Sequence, residues 1–306
     1  MGRMAVRRTR GSMLLVLSFA AVTSALRSPP FAATTRRALL SSSTAWSTAT
    51  LAATASALLP VRPAAAEESP IEVASRAFQK GDYVLSEKLW RDAARAVPSS
   101  SLSWSNLAVC LIINASGEMQ LGVPPSGKAR ERLDEALTAI DTAVRLDGDA
   151  SPDALTLNSR GNALGLLLRW EDAAAAYALA ASASRRDFES IPRSNEALAL
   201  FELGELASAE KRARSLIRRD PNFKDGAALL AALRLEQGDP GGAASAVALL
   251  CSGPEGSAWC QRYSTVDVVM GRWSPRAVAA YRRLLKEPSV QLELKNAAGL
   301  SSGMRL

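Results

Sequence analysis

Three cysteines and no histidine leave this chain little with which to do chemistry. Without imidazole there is no histidine-based triad, and the usual nitrogen ligands for transition metals are missing. Cys251 and Cys260 flank Ser252-Gly253-Pro254-Glu255-Gly256, a turn-forming stretch that would bring two helix ends together. The pair has the spacing for a disulfide, and an oxidising compartment would permit it; a redox-signalling pair is the other reading. Cys110 falls in an apolar helical stretch, where a small buried side chain accounts for it. Glu202 and Glu236 are carboxylates that could act as acid or base, yet glutamates on helix surfaces are common. No residue is therefore assigned a catalytic, metal-binding or cofactor-binding role, and a non-enzymatic protein is expected. Asn158 and Asn162 lie one helical turn apart, where their amides could hydrogen-bond a peptide main chain in any register.

The formal charge of +7 invites a nucleic-acid reading, which its distribution excludes. Residues 1–66 hold eight arginines, no lysine and no acid, so the remainder carries 29 bases against 30 acids. A near-neutral body with few aromatic residues has neither the electrostatic footprint nor the stacking platforms for nucleic acid. The leader has the composition of a targeting segment. Arg7-Arg8-Thr9-Arg10, the apolar run Met13–Val22 and Thr23-Ser24-Ala25 read as a signal peptide over about residues 1–25. A transit segment follows. From about 34 to 66, Arg36-Arg37, a mildly apolar stretch to Leu59 and Pro63-Ala64-Ala65-Ala66 before Glu67 resemble a twin-arginine lumenal signal. Such stacked addresses imply import into a complex plastid and delivery to the thylakoid lumen. Neither apolar stretch reaches the roughly 18 uninterrupted residues of a spanning helix, so no membrane span is expected in the mature chain.

Beyond the leader the sequence repeats. Small residues 12 apart, with a third small or apolar residue seven further on, recur as Ala74, Ser86, Ala93; Gly161, Ala173, Ala180; Ala197, Ala209, Leu216; and Ala231, Ala243, Leu250. Thr265, Ala277 and Leu284 keep the same spacing in a degenerate sixth set that reads as a cap. The second set, Ala108, Ala136 and Ala143, keeps the seven but has 28 in place of 12, which marks an insertion, expected as an exposed loop over 114–128. Small residues let two antiparallel helices cross closely, and Trp90, Tyr177 and Tyr281, four residues after the small position of the second helix, fill the space between them. Gly81-Asp82, Gly204-Glu205 and Gly238-Asp239 supply the reversals. Period-two alternation is absent. The class is all-α: a tetratricopeptide-repeat (TPR) helical-hairpin solenoid over 67–288, about five repeats plus a degenerate C-terminal capping hairpin, with 289–306 as a tail.

Asn158-Ser159-Arg160-Gly161-Asn162-Ala163-Leu164 with Arg169-Trp170-Glu171-Asp172-Ala173, then Asn195-Glu196-Ala197, Asp220-Pro221-Asn222-Phe223 and Arg272-Trp273-Ser274-Pro275 resemble the TPR proteins of cyanobacteria and chloroplasts, whose plant members are the chloroplast lumen common family. The resemblance implies a plastid location and supplies no biochemical activity. TPR geometry projected onto the chain places Val109, Ile112 and Ile113, then Leu155, Asn158, Asn162 and Leu166, then Leu198, Phe201 and Glu202 on the docking face lined by the first helix of each repeat. The expected role is a scaffold binding a protein or peptide partner during assembly or maintenance of photosynthetic complexes. A co-chaperone or redox-responsive adaptor in the stroma is the alternative.

Overall fold

The computed structural model describes residues 69–148, 152–185 and 188–302; the leader expected over 1–66 lies outside the described residues. Five helix pairs follow one another: α1 (Pro70–Gln79) with α2 (Tyr83–Ala96), α3 (Ser101–Gly117) with α4 (Gly127–Asp147), α5 (Ala154–Leu166) with α6 (Trp170–Ala183), α7 (Ser190–Glu202) with α8 (Leu206–Arg219), and α9 (Lys224–Glu236) with α10 (Pro240–Leu250). The two helices of each pair pack on each other, and the second helix of each of the first four pairs packs on the first helix of the next. The architecture is an all-α array of TPR-like hairpins, with no strand among the described residues.

Local chemistry sets the ends of these helices. Ser69 and Glu72 close a capping box on α1, and Asp82, Ser100, Asp153 and Asp239 each accept a main-chain N–H in the first turn of the helix they precede, satisfying donors that a helix leaves open. Four of the five hairpins turn through one hydrogen bond, spanning five residues: Asp82 N–H to Ala77, Arg169 to Leu164, Glu205 to Leu200 and Asp239 to Arg234, each at 2.9 or 3.0 Å. A left-handed residue precedes each of these donors. Gly81, Gly204 and Gly238 fill that position in hairpins one, four and five, whereas hairpin three holds Leu168 there at φ 59°.

The residues 12 apart meet at the crossings. The Ser86 hydroxyl donates to the Ala74 carbonyl at 3.0 Å. A Cβ on Gly161 would lie 2.4 Å from the ring of Tyr177. Ala74, Ala108, Ala136, Ala143, Gly161, Ala173, Ala180, Ala197, Ala209, Ala231 and Ala243 are buried, as are Trp90 and Tyr177. Ala93 is half-buried and its neighbour Ala94 is fully covered.

Three expected boundaries move. The insertion is shorter than 114–128, because α3 continues to Gly117 and α4 begins at Gly127; Asn114 is held in the helix by Nδ2–H bonds to the Tyr83 carbonyl (3.1 Å) and the Glu87 carboxylate (2.6 Å). The capping hairpin lacks a full first helix. Short α11 (Gly256–Arg262) and a 3₁₀ turn at Val266–Val268 stand in its place, leaving Thr265 exposed. The expected tail is helical: α13 (Pro288–Ser302) packs on α10 and α11. Between them α12 (Pro275–Leu284) packs on α7 and α9, the first helices of hairpins four and five. Its Ala277 therefore buries against the first-helix face instead of extending the stack in line.

Candidate binding face and the segments that cover it

On the face lined by the first helices, the chain supplies its own cover. Ser274, just before α12, donates its hydroxyl to the Leu198 carbonyl at 3.2 Å. Two residues on, the Arg276 N–H donates to the Glu202 carboxylate at 2.8 Å, and the guanidinium sits 5.9 Å from the centre of the Phe201 ring, within cation–π range. The same guanidinium reaches Glu236 at 3.4 Å, and Arg283 pairs with that carboxylate too. Glu202 and Glu236, the two acid–base candidates, thus anchor the C-terminal segment.

That segment is pinned at its other end by a polar knot. The carboxylate of Asp225, in the first turn of α9, accepts from both terminal nitrogens of Arg272 and from the Tyr263 hydroxyl at 2.7 Å. Burial and the adjacent carboxylate both push the Tyr263 phenol upward. Burial lowers the affinity of Arg272 for its proton, but Asp225 outweighs that and holds the guanidinium charged. Trp273 and Tyr281 stack edge to face, 5.3 Å between centroids, and both are buried.

The inserted loop, residues 118–126, crosses from the other side. A Cβ on Gly122 would stand 3.3 Å from Pro275, so loop and C-terminal segment touch over hairpin three. Between them and α5 lies a cavity of about 50 Å³. Of the ten residues expected on the docking face, Val109, Ile112, Ile113, Asn158, Asn162, Leu166, Leu198 and Phe201 are buried, and Leu155 and Glu202 are half-buried. Val109, Ile112 and Ile113 belong to the core shared by hairpins one and two, with Met119 of the loop packed against it. Asn158 accepts from Asn195 at 3.0 Å and Asn162 from the Tyr177 hydroxyl at 2.9 Å. The Nδ2 atoms of both asparagines are buried without a partner. Leu198 and Phe201 lie beneath the C-terminal segment.

Among the described residues no group of three or more Cys, Asp or Glu is placed to hold a metal ion, and no helix is long and apolar enough to cross a membrane. No protein-family model matches this chain, and no curated protein matches it. Among solved structures, one from the functional characterization of Pseudomonas aeruginosa pilF is similar over 74% of this chain and 94% of that chain, with 19% identity and a TM-score of 0.46. A likeness of that size adds nothing to what the geometry above already gives.

The cysteines divide into two kinds. Cys251, capping α10, is bonded to Cys260 in α11 with Cα atoms 4.8 Å apart. The turn between them closes only because residue 256 is glycine: a Cβ there would lie 1.9 Å from the Cys251 carbonyl oxygen. Closing so short a loop stabilises the fold by about 2–3 kcal/mol. Cys260→Ser is expected to cost about that much, and mass spectrometry before and after reductant will show the gain of two hydrogens in the parent chain only. Cys110 is buried and donates to Ser86 Oγ at 3.3 Å, and that hydroxyl in turn donates to Ala74. Burial pushes its thiol up to about 12. At about pH 8, where an ordinary thiol alkylates readily, Cys110 should stay unmodified by iodoacetamide in the folded chain and react only in denaturant.

Proposed function

We propose that this chain is a non-enzymatic helical-repeat scaffold that holds a protein or peptide partner, works in the thylakoid lumen of a complex plastid, and assists assembly or maintenance of photosynthetic complexes. The binding part rests on one observation. Residues Arg272 to Arg276 lie across Leu198, Phe201 and Glu202 through a hydroxyl-to-carbonyl bond, a main-chain N–H to a carboxylate, and a cation over a ring. These contacts are what a bound partner segment would need, and they support the capacity of the first-helix face to hold one. The location rests on the acid-free leader and on the resemblance to the lumen common family; the Cys251–Cys260 bond suits an oxidising compartment.

The test is proximity labelling from a C-terminal fusion in intact plastids, with the mature N-terminus read from the same preparation. A start at or near Glu67 in a thylakoid fraction, with thylakoid proteins among the labelled partners, is the expected result. A partner set without thylakoid proteins, or a retained leader, would overturn the placement. A redox-responsive adaptor is the second reading, and the disulfide favours it because α11 leads directly into the segment covering the docking face. Labelling that changes with reductant would select it.

A further inference from the structure

We propose that the Cys251–Cys260 bond is a redox gate on the first-helix face: a dithiol that reduces it releases residues 272–276 from Leu198, Phe201 and Glu202 and uncovers that face. The gate deepens the redox-responsive reading above and rests on the docking face which that reading assumes.

Little besides the bond holds α11 in place. The helix is seven residues long, well short of the roughly 12 residues at which an isolated helix becomes even marginally stable in water. Ser257, Ala258, Gln261 and Arg262 are exposed, and the buried residues are Gly256 and Cys260. The one fully buried side chain of α11 is therefore the half-cystine itself, with Trp259 half-buried and α13 as the main neighbour besides α10.

Tyr263 carries the position of α11 to the covering segment. Its N–H donates to the Trp259 carbonyl of α11 at 2.9 Å, its hydroxyl to Asp225 of α9 at 2.7 Å, and its carbonyl accepts from the Tyr281 hydroxyl of α12 at 2.7 Å. Asp225 holds Arg272 as well, and two residues later Ser274 begins the contacts with Leu198 and Glu202. When α11 unwinds, Tyr263 loses its main-chain anchor, and Arg272 keeps Asp225 without the residue that shares it.

The chemistry has a direction. Cys251 is half-buried and followed by four exposed residues, Ser252 to Glu255, whereas Cys260 is 3% exposed, so attack comes at Cys251. A thiolate of the reductant bonds to the Cys251 sulfur, the bond to Cys260 breaks, and Cys260 leaves as a thiolate that takes a proton. The second thiolate of the reductant then displaces the Cys251 sulfur, which takes the other proton, and the reductant departs as a disulfide. The third cysteine of the chain, Cys110, is free and buried, and takes no part.

The test is hydrogen–deuterium exchange on the full chain, oxidised and after treatment with dithiothreitol. The Arg276 amide reports the covering segment because it donates to Glu202. Exchange across residues 272–276 should accelerate about tenfold on reduction, within what so short a disulfide loop is worth, with hairpins one to three unchanged. A Cys251→Ser, Cys260→Ser double variant should match the reduced chain without reductant and ignore dithiothreitol. Equal exchange across 272–276 in the two states would overturn the gate. So would a rise spread evenly over all five hairpins, which is a general loss of stability. A synthetic peptide of residues 272–285 added in trans separates the gate from the docking face: it should bind the reduced chain about tenfold more tightly, the full release seen by exchange. Accelerated exchange without capture of the peptide would uphold the gate and count against the docking face.

Discussion

Asp225→Ala will lower the stability of this chain by about 3 kcal/mol and free the C-terminal segment from the face it covers. Asp225 is 9% exposed and is the shared acceptor for Arg272 and Tyr263, which come from the chain on either side of the 3₁₀ turn. Removing one partner of a buried ion pair is far worse than never having had the pair, because the survivor stays desolvated. Arg272 would keep only its bond to the Val268 carbonyl, and Tyr263 would keep a buried hydroxyl without an acceptor. The least costly response is for both to leave, and with them goes Trp273, which is packed between the knot and Tyr281. Trypsin reports the release directly: Arg272 and Arg276 should resist cleavage in the parent chain and become early sites in the variant, with a red shift in tryptophan emission as Trp273 meets water. Asp225→Asn keeps two acceptor–donor contacts without the charge and should fall between the two. An Asp225→Ala chain with the parent's protection and unfolding midpoint would show that the knot does not hold the segment.

How much of this could be read from residues alone follows from which contacts are local. The crossings were legible, because a 12-residue spacing of small side chains has few uses other than helices touching, and the Ser86 bond to Ala74 is that contact in atomic form. The course of the C-terminal segment was not legible. Thr265, Ala277 and Leu284 continue the register of the fifth hairpin, so spacing alone places a sixth hairpin in line, whereas the ion pair of Arg272 with Asp225 is a long-range choice that no local pattern announces. The same holds for Asn158 and Asn162. Their spacing puts them on the first-helix face, but Asn158 is met by Asn195 of the next hairpin and Asn162 by Tyr177 beside the cavity that the loop and the C-terminal segment close. The insertion has only three apolar residues, Met119, Leu121 and Val123, and all three line the cavity. One signal stood in the open unread. Hairpins one, four and five place glycine seven residues after the small residue of the first helix, and hairpin three places Leu168 there.

Gly161→Ala will damage this chain out of proportion to the single methyl it adds. The new carbon would sit 2.4 Å from Tyr177 Cε1 and 2.5 Å from Cδ1, well inside contact distance, so the ring or the helix must move. The ring has little room, being buried and tied by its hydroxyl to Asn162. Shifting it gives up that hydrogen bond, worth about 1 kcal/mol, on top of the 1–3 kcal/mol that overpacking costs, so a loss of about 3 kcal/mol is expected. Spread over a chain of this size that corresponds to about 6–12 °C in melting temperature. Gly165→Ala gives the graded comparison, because its added carbon would stand 3.1 Å from Trp170, a contact the half-buried indole can relieve by a small shift. The decisive measurement is the double variant. If the clash with Tyr177 is the cause, Tyr177→Leu should rescue part of the Gly161→Ala loss, so that the two together cost at least 1 kcal/mol less than their sum. Additive losses would place the damage elsewhere, in the helix–helix spacing itself, and would mean that glycine is needed there for the approach of the backbones and not for the ring.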